Sequence, residues 1–138
     1  MAETKRRVRV LRRRVTRKNK KPQFDKYDLY TNAVQSPETD VDFIRRSYRE
    51  LRGVHPKSLR EDFCGTFRLS SEWVKYRKDH RAWAVDVDPE PLEYGRNHYQ
   101  TKLSASEQKR LTVLEADVVS GRLPSTDVVV ALNFSYFC

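Results

Sequence analysis

The sequence predicts an α/β fold, a parallel sheet with helices packed on both faces. Two observations carry this. Short apolar runs alternate with helix-like segments from Leu59 onward, and one run, Asp127 to Leu132, is apolar almost throughout. Strands that alternate with helices pair in parallel, and a strand of unbroken apolar residues is one that is covered on both sides.

The elements follow in order. Ser36 can cap a helix that has Pro37 at its first position. Glu38, Asp40 and Asp42 complement its dipole, Val41, Ile44, Tyr48 and Leu51 form its apolar stripe, and Gly53 ends it. Strand one spans about Lys57 to Phe63. A helix from Arg68 to Lys78 buries Leu69, Trp73 and Tyr76, and strand two spans Arg81 to Val87. A helix begins near Pro89 and Glu90 and uses Leu92, Tyr94 and Tyr99. Strand three covers about Leu111 to Ala116, and strand four Asp127 to Leu132. Right-handed crossovers place strand one beside strand two. The mixed charges from Glu93 to Arg96 read as a solvated helix face. Trp73 and Trp83 read as core, and His55, His80 and His98 as surface or turn residues with no metal-binding spacing.

Charge divides the chain. Residues 1–21 hold eleven Lys and Arg against one acid, Glu3, whereas the rest holds 17 basic and 18 acidic groups. Three segments result: a basic, disordered arm over 1–22, a helical segment over 23–54 carrying Phe24, Tyr27 and Tyr30, and a half-domain with the sheet over 55–138. The arm, from Lys5 to Lys21, suits contact with nucleic-acid phosphates or an acidic surface, and equally a solvated extension. No apolar run approaches the roughly 18 residues of a membrane span, and two cysteines, Cys64 and Cys138, suit a reducing compartment. The expectation is a cytoplasmic protein with no metal site and no membrane partner.

Chemistry concentrates between Leu59 and Asp88. A tight turn at Cys64-Gly65-Thr66 follows strand one, and Asp86 stands 21 positions after Gly65 at the end of strand two. A turn that faces the charged part of a ligand, with a carboxylate about 20 residues on for ribose hydroxyls, is the layout of a nucleoside-binding unit. Glu61 and Asp62 precede the turn and no basic residue lies within it. That charge pattern favours a cationic ligand over a dinucleotide's pyrophosphate.

The segments LREDFCGT, AVDVDPEPLEYGR, VLEADV and DVVVALNFSYF together resemble the motifs of class I S-adenosylmethionine-dependent methyltransferases, in a bacterial branch of that superfamily. The resemblance runs over about residues 24–138 and implies strands one to four of a seven-stranded, Rossmann-like parallel sheet, ordered 3-2-1-4. It implies S-adenosylmethionine as cofactor, with Glu61 near its methionine end and Cys64, Gly65 and Thr66 in the turn beside it. Asp86 and Asp88 fall at the ribose, Asp117 and Val118 at the adenine. It also implies methyl transfer to an unknown acceptor at Asn133 and Tyr136. Asn133 to Tyr136 (NFSY) matches the spacing of the amino-group methyltransferase motif without its two prolines, so strand capping by Asn133 and packing by Tyr136 is the favoured reading.

Only Gly65 remains of the family's three turn glycines, with Phe63 and Phe67 in places where smaller residues are common. The chain is expected to be truncated after strand four, which leaves an exposed edge open to oligomerisation and places its catalytic competence in question. Two alternatives stand beside this reading. One is a nucleotide-dependent oxidoreductase, which would want glycines at 63 and 67. The other is a nucleic-acid-binding protein that acts through its basic arm. Cys64 is weighed both as a reactive thiol and as a small residue that fills the turn, the second being favoured.

Overall fold

The computed structural model describes Lys26 and residues 36–132. The basic segment, the aromatic stretch from Phe24 to Tyr30 (apart from Lys26), and Asn133 to Tyr136 lie outside the described residues. The elements in order are α1 (Pro37–Arg52), β1 (Ser58–Asp62), α2 (Arg68–Tyr76), β2 (Arg81–Asp86), α3 (Pro89–His98), a 3₁₀ turn (Gln100–Lys102), α4 (Ala105–Arg110), β3 (Leu111–Glu115) and β4 (Val128–Val130). The four strands form one sheet ordered β3-β2-β1-β4, parallel at every pairing. Both the alternation and the order are those the sequence predicts. The short helix α4 is an addition, closed by a capping box between Ser104 and Glu107.

Register explains where the core sits. Leu59 pairs with Ala82 and Val128, Glu61 with Ala84 and Val130, and Ala82 with Leu111. These residues share one face, and the helices pack there through Val41, Ile44, Leu69, Trp73, Val74 and Leu92. Helix α1 thus belongs to the same core as the sheet. The other face carries Arg60, Asp62, Trp83 and Val129 by strand alternation. The sequence predicts helices on both faces, but the described helices gather on one. The steps β1→β2→β3 run in one direction, and right-handed crossovers put α2 and α3 on the same side. The step β3→β4 reverses direction, and its connection is a loop: Arg60 Nη1 donates to Pro124 O at 3.0 Å from the second face.

Several side chains depart from their expected places for physical reasons. Leu51 is 82% exposed and Tyr48 half-buried, so the α1 stripe is buried only at its N-terminal part, Val41 and Ile44. The apolar run of β4 leaves Val129 and Leu132 half-exposed, since β4 is an outer strand among the described residues. His80, expected at the surface, is fully buried. It stacks on Trp73 with centroids 4.1 Å apart, and Nδ1 sits 2.8 Å from Trp73 O. Burial lowers its pKa, so it is held neutral. Arg110 Nη1 then lies 2.8–2.9 Å from the carbonyls of Val74, Arg77 and His80, where it closes the C-terminal end of α2.

Asp127 ties the outer strand down. Its Oδ2 accepts from the main-chain N–H of Lys57 and Ser58 at 2.8 and 3.1 Å, and its own N–H donates to Ser58 Oγ at 2.8 Å. At the other end of the sheet, α3 approaches the β1–α2 turn at Gly95. A Cβ there would meet Thr66 O at 2.3 Å and the Phe67 ring at 2.6 and 2.8 Å. The stretch read as a solvated face therefore contains a buried contact. Glycine inside a helix costs about 1 kcal/mol relative to alanine, and here the close approach requires it. Gly95→Ala is expected to lower stability by about 1–3 kcal/mol through overpacking, measured by urea denaturation.

Candidate functional site

The carboxyl ends of β1, β2 and β3 meet above the core, and the segments that follow them are stitched together there. The turn after β1 closes through Phe67 N–H to Cys64 O at 2.9 Å, and Cys64 N–H donates to Val85 O at 3.0 Å. Its backbone is left-handed at alternate residues: φ is 55° at Phe63, 56° at Gly65 and 47° at Phe67. Left-handed φ favours glycine, and each non-glycine residue there costs about 1–2 kcal/mol. The chain thus holds the path of a three-glycine turn with one glycine and two phenylalanines. Phe67 is wholly buried against Gly95, so its ring packs beneath the turn and not into the space above it.

Asp86 anchors this turn. Its Oδ2 accepts from Gly65 N–H at 2.8 Å and its Oδ1 from Asp88 N–H at 3.0 Å. Asp88 caps α3 by accepting from Glu90 N–H at 3.0 Å. Ala116 N–H donates to Asp86 O at 2.9 Å, which sets Asp117 and Val118 at the same end of the sheet. Asp117 is exposed and closes its own loop, with Val119 N–H at 2.8 Å and Ser120 Oγ at 2.9 Å. Those bonds hold its carboxyl below the usual range.

The two acids before the turn separate onto opposite faces of the sheet. Asp62 is gripped by Arg60 through Nε–Oδ1 at 2.8 Å and Nη2–Oδ2 at 3.0 Å, a fork that neutralises it. Glu61 points toward α2 and is 2% exposed. Its Oε2 accepts from Ser70 Oγ at 2.6 Å and Ser70 N–H at 3.1 Å. Phe67 stands at the N-cap of α2 and offers no capping side chain, so Glu61 takes that role from the neighbouring strand. Burial pushes the Glu61 carboxyl up to about 7, with the charges of Asp86 and Asp40 adding to the rise and the Ser70 bonds opposing it. Asp40 reaches this end of the sheet from the first turn of α1, where the sequence suggested only a dipole partner. Cys64 is buried, and burial with the charges of Glu61 and Asp86 raises its thiol pKa, the reverse of an activated thiol.

The structure thus gathers Glu61, Cys64, Gly65, Thr66, Asp86, Asp88, Asp117 and Val118 at one end of the sheet. Asn133 and Tyr136 lie outside the described residues. Sequence reasoning missed Ser70, Asp40 and Gly95. Ser70 stood three positions after the capless Phe67, which was the available signal. An open cleft of about 280 Å³ between α1 and α2, lined by Glu38, Val41, Glu72, Lys75 and Tyr76, shares no lining residue with this site. Among the described residues no group of His, Cys, Asp and Glu is arranged to hold a metal ion, and no helix is long and apolar enough to cross a membrane.

No family model and no curated protein matches the chain. Solved structures do match. The sugar N-methyltransferase KedS8 from Streptoalloteichus sp. ATCC 53650 is 24% identical with a TM-score of 0.56, over 96% of this chain and 46% of that one. CalS10, an amino pentose methyltransferase from Micromonospora echinaspora solved with SAM bound, is 16% identical with a TM-score of 0.59, over 79% and 42%. The methyltransferase domain of the bacterial CtHen1 is 17% identical with a TM-score of 0.56, over 68% and 49%. The fold is that of the class I S-adenosylmethionine-dependent methyltransferases. This chain spans less than half the length of each of the three.

Within this methyltransferase fold, Glu61 makes stability depend on pH. The folded state keeps its proton to about pH 7, whereas an ordinary carboxyl loses it near 4.5. The contribution is complete below about pH 4.5 and is lost as pH rises to about 7, on the order of 3 kcal/mol. His80 acts with the opposite sign near its ordinary 6.5, so the comparison must isolate Glu61. The urea midpoint of Glu61→Gln relative to that of the unaltered chain is expected to rise from about pH 5 to about pH 8, a difference from which the His80 contribution cancels.

Proposed function

We propose that this chain is the S-adenosylmethionine-binding portion of a methyltransferase, with the cofactor held at the carboxyl ends of β1, β2 and β3. The observation that carries the reading is the left-handed turn at residues 63, 65 and 67, fastened by Gly65 to the carboxylate of Asp86. In open parallel sheets ligands bind beyond the carboxyl ends of the strands, where the strand order reverses, and here that point is between β1 and β4.

The residues fit such a cofactor. Asp86 uses two of its roughly four acceptor positions on main-chain amides, which leaves capacity for two ribose hydroxyls. Asp40, Glu61 and Asp86 converge without a paired base among the described residues, which suits a ligand with a sulfonium and an α-ammonium and repels a pyrophosphate. Arg68, the first residue after the turn, lies 5.8 Å from the Tyr99 ring. Cys64 and Thr66 present main chain and small side chains beside the methionine end. Asp117 and Val118 flank the adenine. S-adenosylmethionine supplies an electrophilic methyl group to a nucleophile. The chain's contribution is to fix the donor in place and orientation, which is a large part of catalysis for an in-line displacement. Asn133 and Tyr136 are proposed to lie at the acceptor mouth, just beyond β4.

Calorimetric titration tests this. S-adenosylmethionine and S-adenosylhomocysteine are expected to bind the full chain. Asp86→Ala should weaken S-adenosylhomocysteine by about 100-fold or more, through loss of two charge-assisted hydrogen bonds and of the support that Asp86 gives the turn at Gly65, with the helical far-UV circular dichroism retained. Binding of NAD in place of either compound would overturn the reading.

A further inference from the structure

Among the described residues Glu61 is the buried acid of this site that lacks a cation. Asp62, its neighbour, has Arg60. Glu61 has only the two donors of Ser70, both directed at Oε2, and no Lys, Arg or His pairs with it among the described residues. Helix α2 brings the partial positive charge of its N-terminus through Ser70, and the other elements around Glu61 bring negative or neutral groups. Helix α1 brings Asp40, β2 brings Asp86 and the apolar Ala84, β4 brings Val130, and the turn brings the protonated thiol of Cys64. A carboxylate so placed needs either a proton or a counter-cation, since desolvation and like charge both oppose its ionised form.

We infer that Glu61, aimed by Ser70, is a proton-exchanging specificity element that carries a proton until a ligand's ammonium group arrives and then releases it to solvent. This rests on the reading of the chain as an S-adenosylmethionine binder. The balance is simple. The proton on Oε1 leaves to water, the carboxylate remains, and the incoming ammonium becomes its counter-ion, so the net charge of the pocket does not change. A nucleoside without the amino-acid portion brings no cation and displaces no proton. The site thereby favours the α-ammonium compounds over 5′-methylthioadenosine, and the more so as pH rises and the proton becomes easier to lose. Burial of Glu61, which raises its proton affinity toward neutrality, agrees with this exchange. Ser70 is a positioning residue: its two bonds favour the ionised form and keep Oε2 turned toward α2, so that Oε1 carries the proton.

The experiment is calorimetric titration of the full chain with S-adenosylhomocysteine at about pH 6.5, in phosphate and in Tris, buffers that differ in ionisation heat. More than about half a proton should be released per ligand, falling toward none by about pH 9. Titration with 5′-methylthioadenosine, and of Glu61→Gln with S-adenosylhomocysteine, should release none. In Ser70→Ala the release should persist to higher pH. Equal heats in the two buffers for the unaltered chain, or undiminished release from Glu61→Gln, would overturn the inference while leaving cofactor binding intact. Failure of S-adenosylhomocysteine to bind strikes at the proposed function instead. In that case carbon-13 NMR titration of the ligand-free protein decides: a Glu61 carboxyl that titrates near neutrality, and higher in Ser70→Ala, supports the exchange, and one at the ordinary carboxyl value overturns it.

Discussion

The bond from Gly65 N–H to the carboxylate of Asp86 holds this end of the molecule together. That one side chain joins the turn after β1 to the turn after β2, since its second oxygen accepts from Asp88. A hydrogen bond to a charged acceptor contributes about 1.5–3 kcal/mol, enough to offset part of the strain of Phe63 and Phe67 in left-handed conformation. Remaining support comes from packing. Phe67 fills the space between the turn and α3, which can approach only because residue 95 has no side chain. A turn of this shape is usually made easy by glycines. Here it is imposed by a carboxylate above and a phenyl ring below.

The same end of the sheet is organised by how its acids are neutralised. Arg60 binds Asp62 on the face crossed by the β3–β4 loop, so that charge makes no demand on the site. Asp88 and Asp117 are satisfied by main-chain amides of their own loops. Glu61 is left with a hydroxyl and an amide, both from Ser70, and with two further carboxylates facing it. Its double duty follows. It caps a helix whose own N-cap residue is apolar, and with Asp40 and Asp86 it makes an acidic place where a positively charged ligand group would sit.

Much of this was legible in the chain because periodicity and turn chemistry are local. The strands announced themselves as short apolar runs, and Pro37, Gly53 and Pro89 marked helix ends that the structure places at or within a residue of the expected positions. The spacing of Gly65 and Asp86 indicated their meeting. What local pattern could not convey is which side of an element a neighbour covers. Leu51 continues an apolar stripe that is buried only at Val41 and Ile44, and Val129 sits in an apolar run whose outer face is half-exposed. His80 looked like a turn residue, yet the turn folds it under Trp73. Gly95, in a run of charged residues, gave no sign that a helix and a turn come into contact there.

By itself the sequence determined the alternating α/β order, the adjacency of strands one and two and the cluster of acids after them. Each of these depends on residue type at short range and on the handedness of crossovers, which hold whatever the packing. Only the tertiary structure decided that the described helices share one face, that Phe67 supports the turn from below, and that Glu61 rather than Asp62 is the acid left without a cation. Those outcomes depend on distances between segments remote in the chain: Arg60 to the loop at Pro124, Gly95 to Thr66, Glu61 to Ser70. Contacts of that kind are created by the fold and have no signature in any stretch of sequence alone.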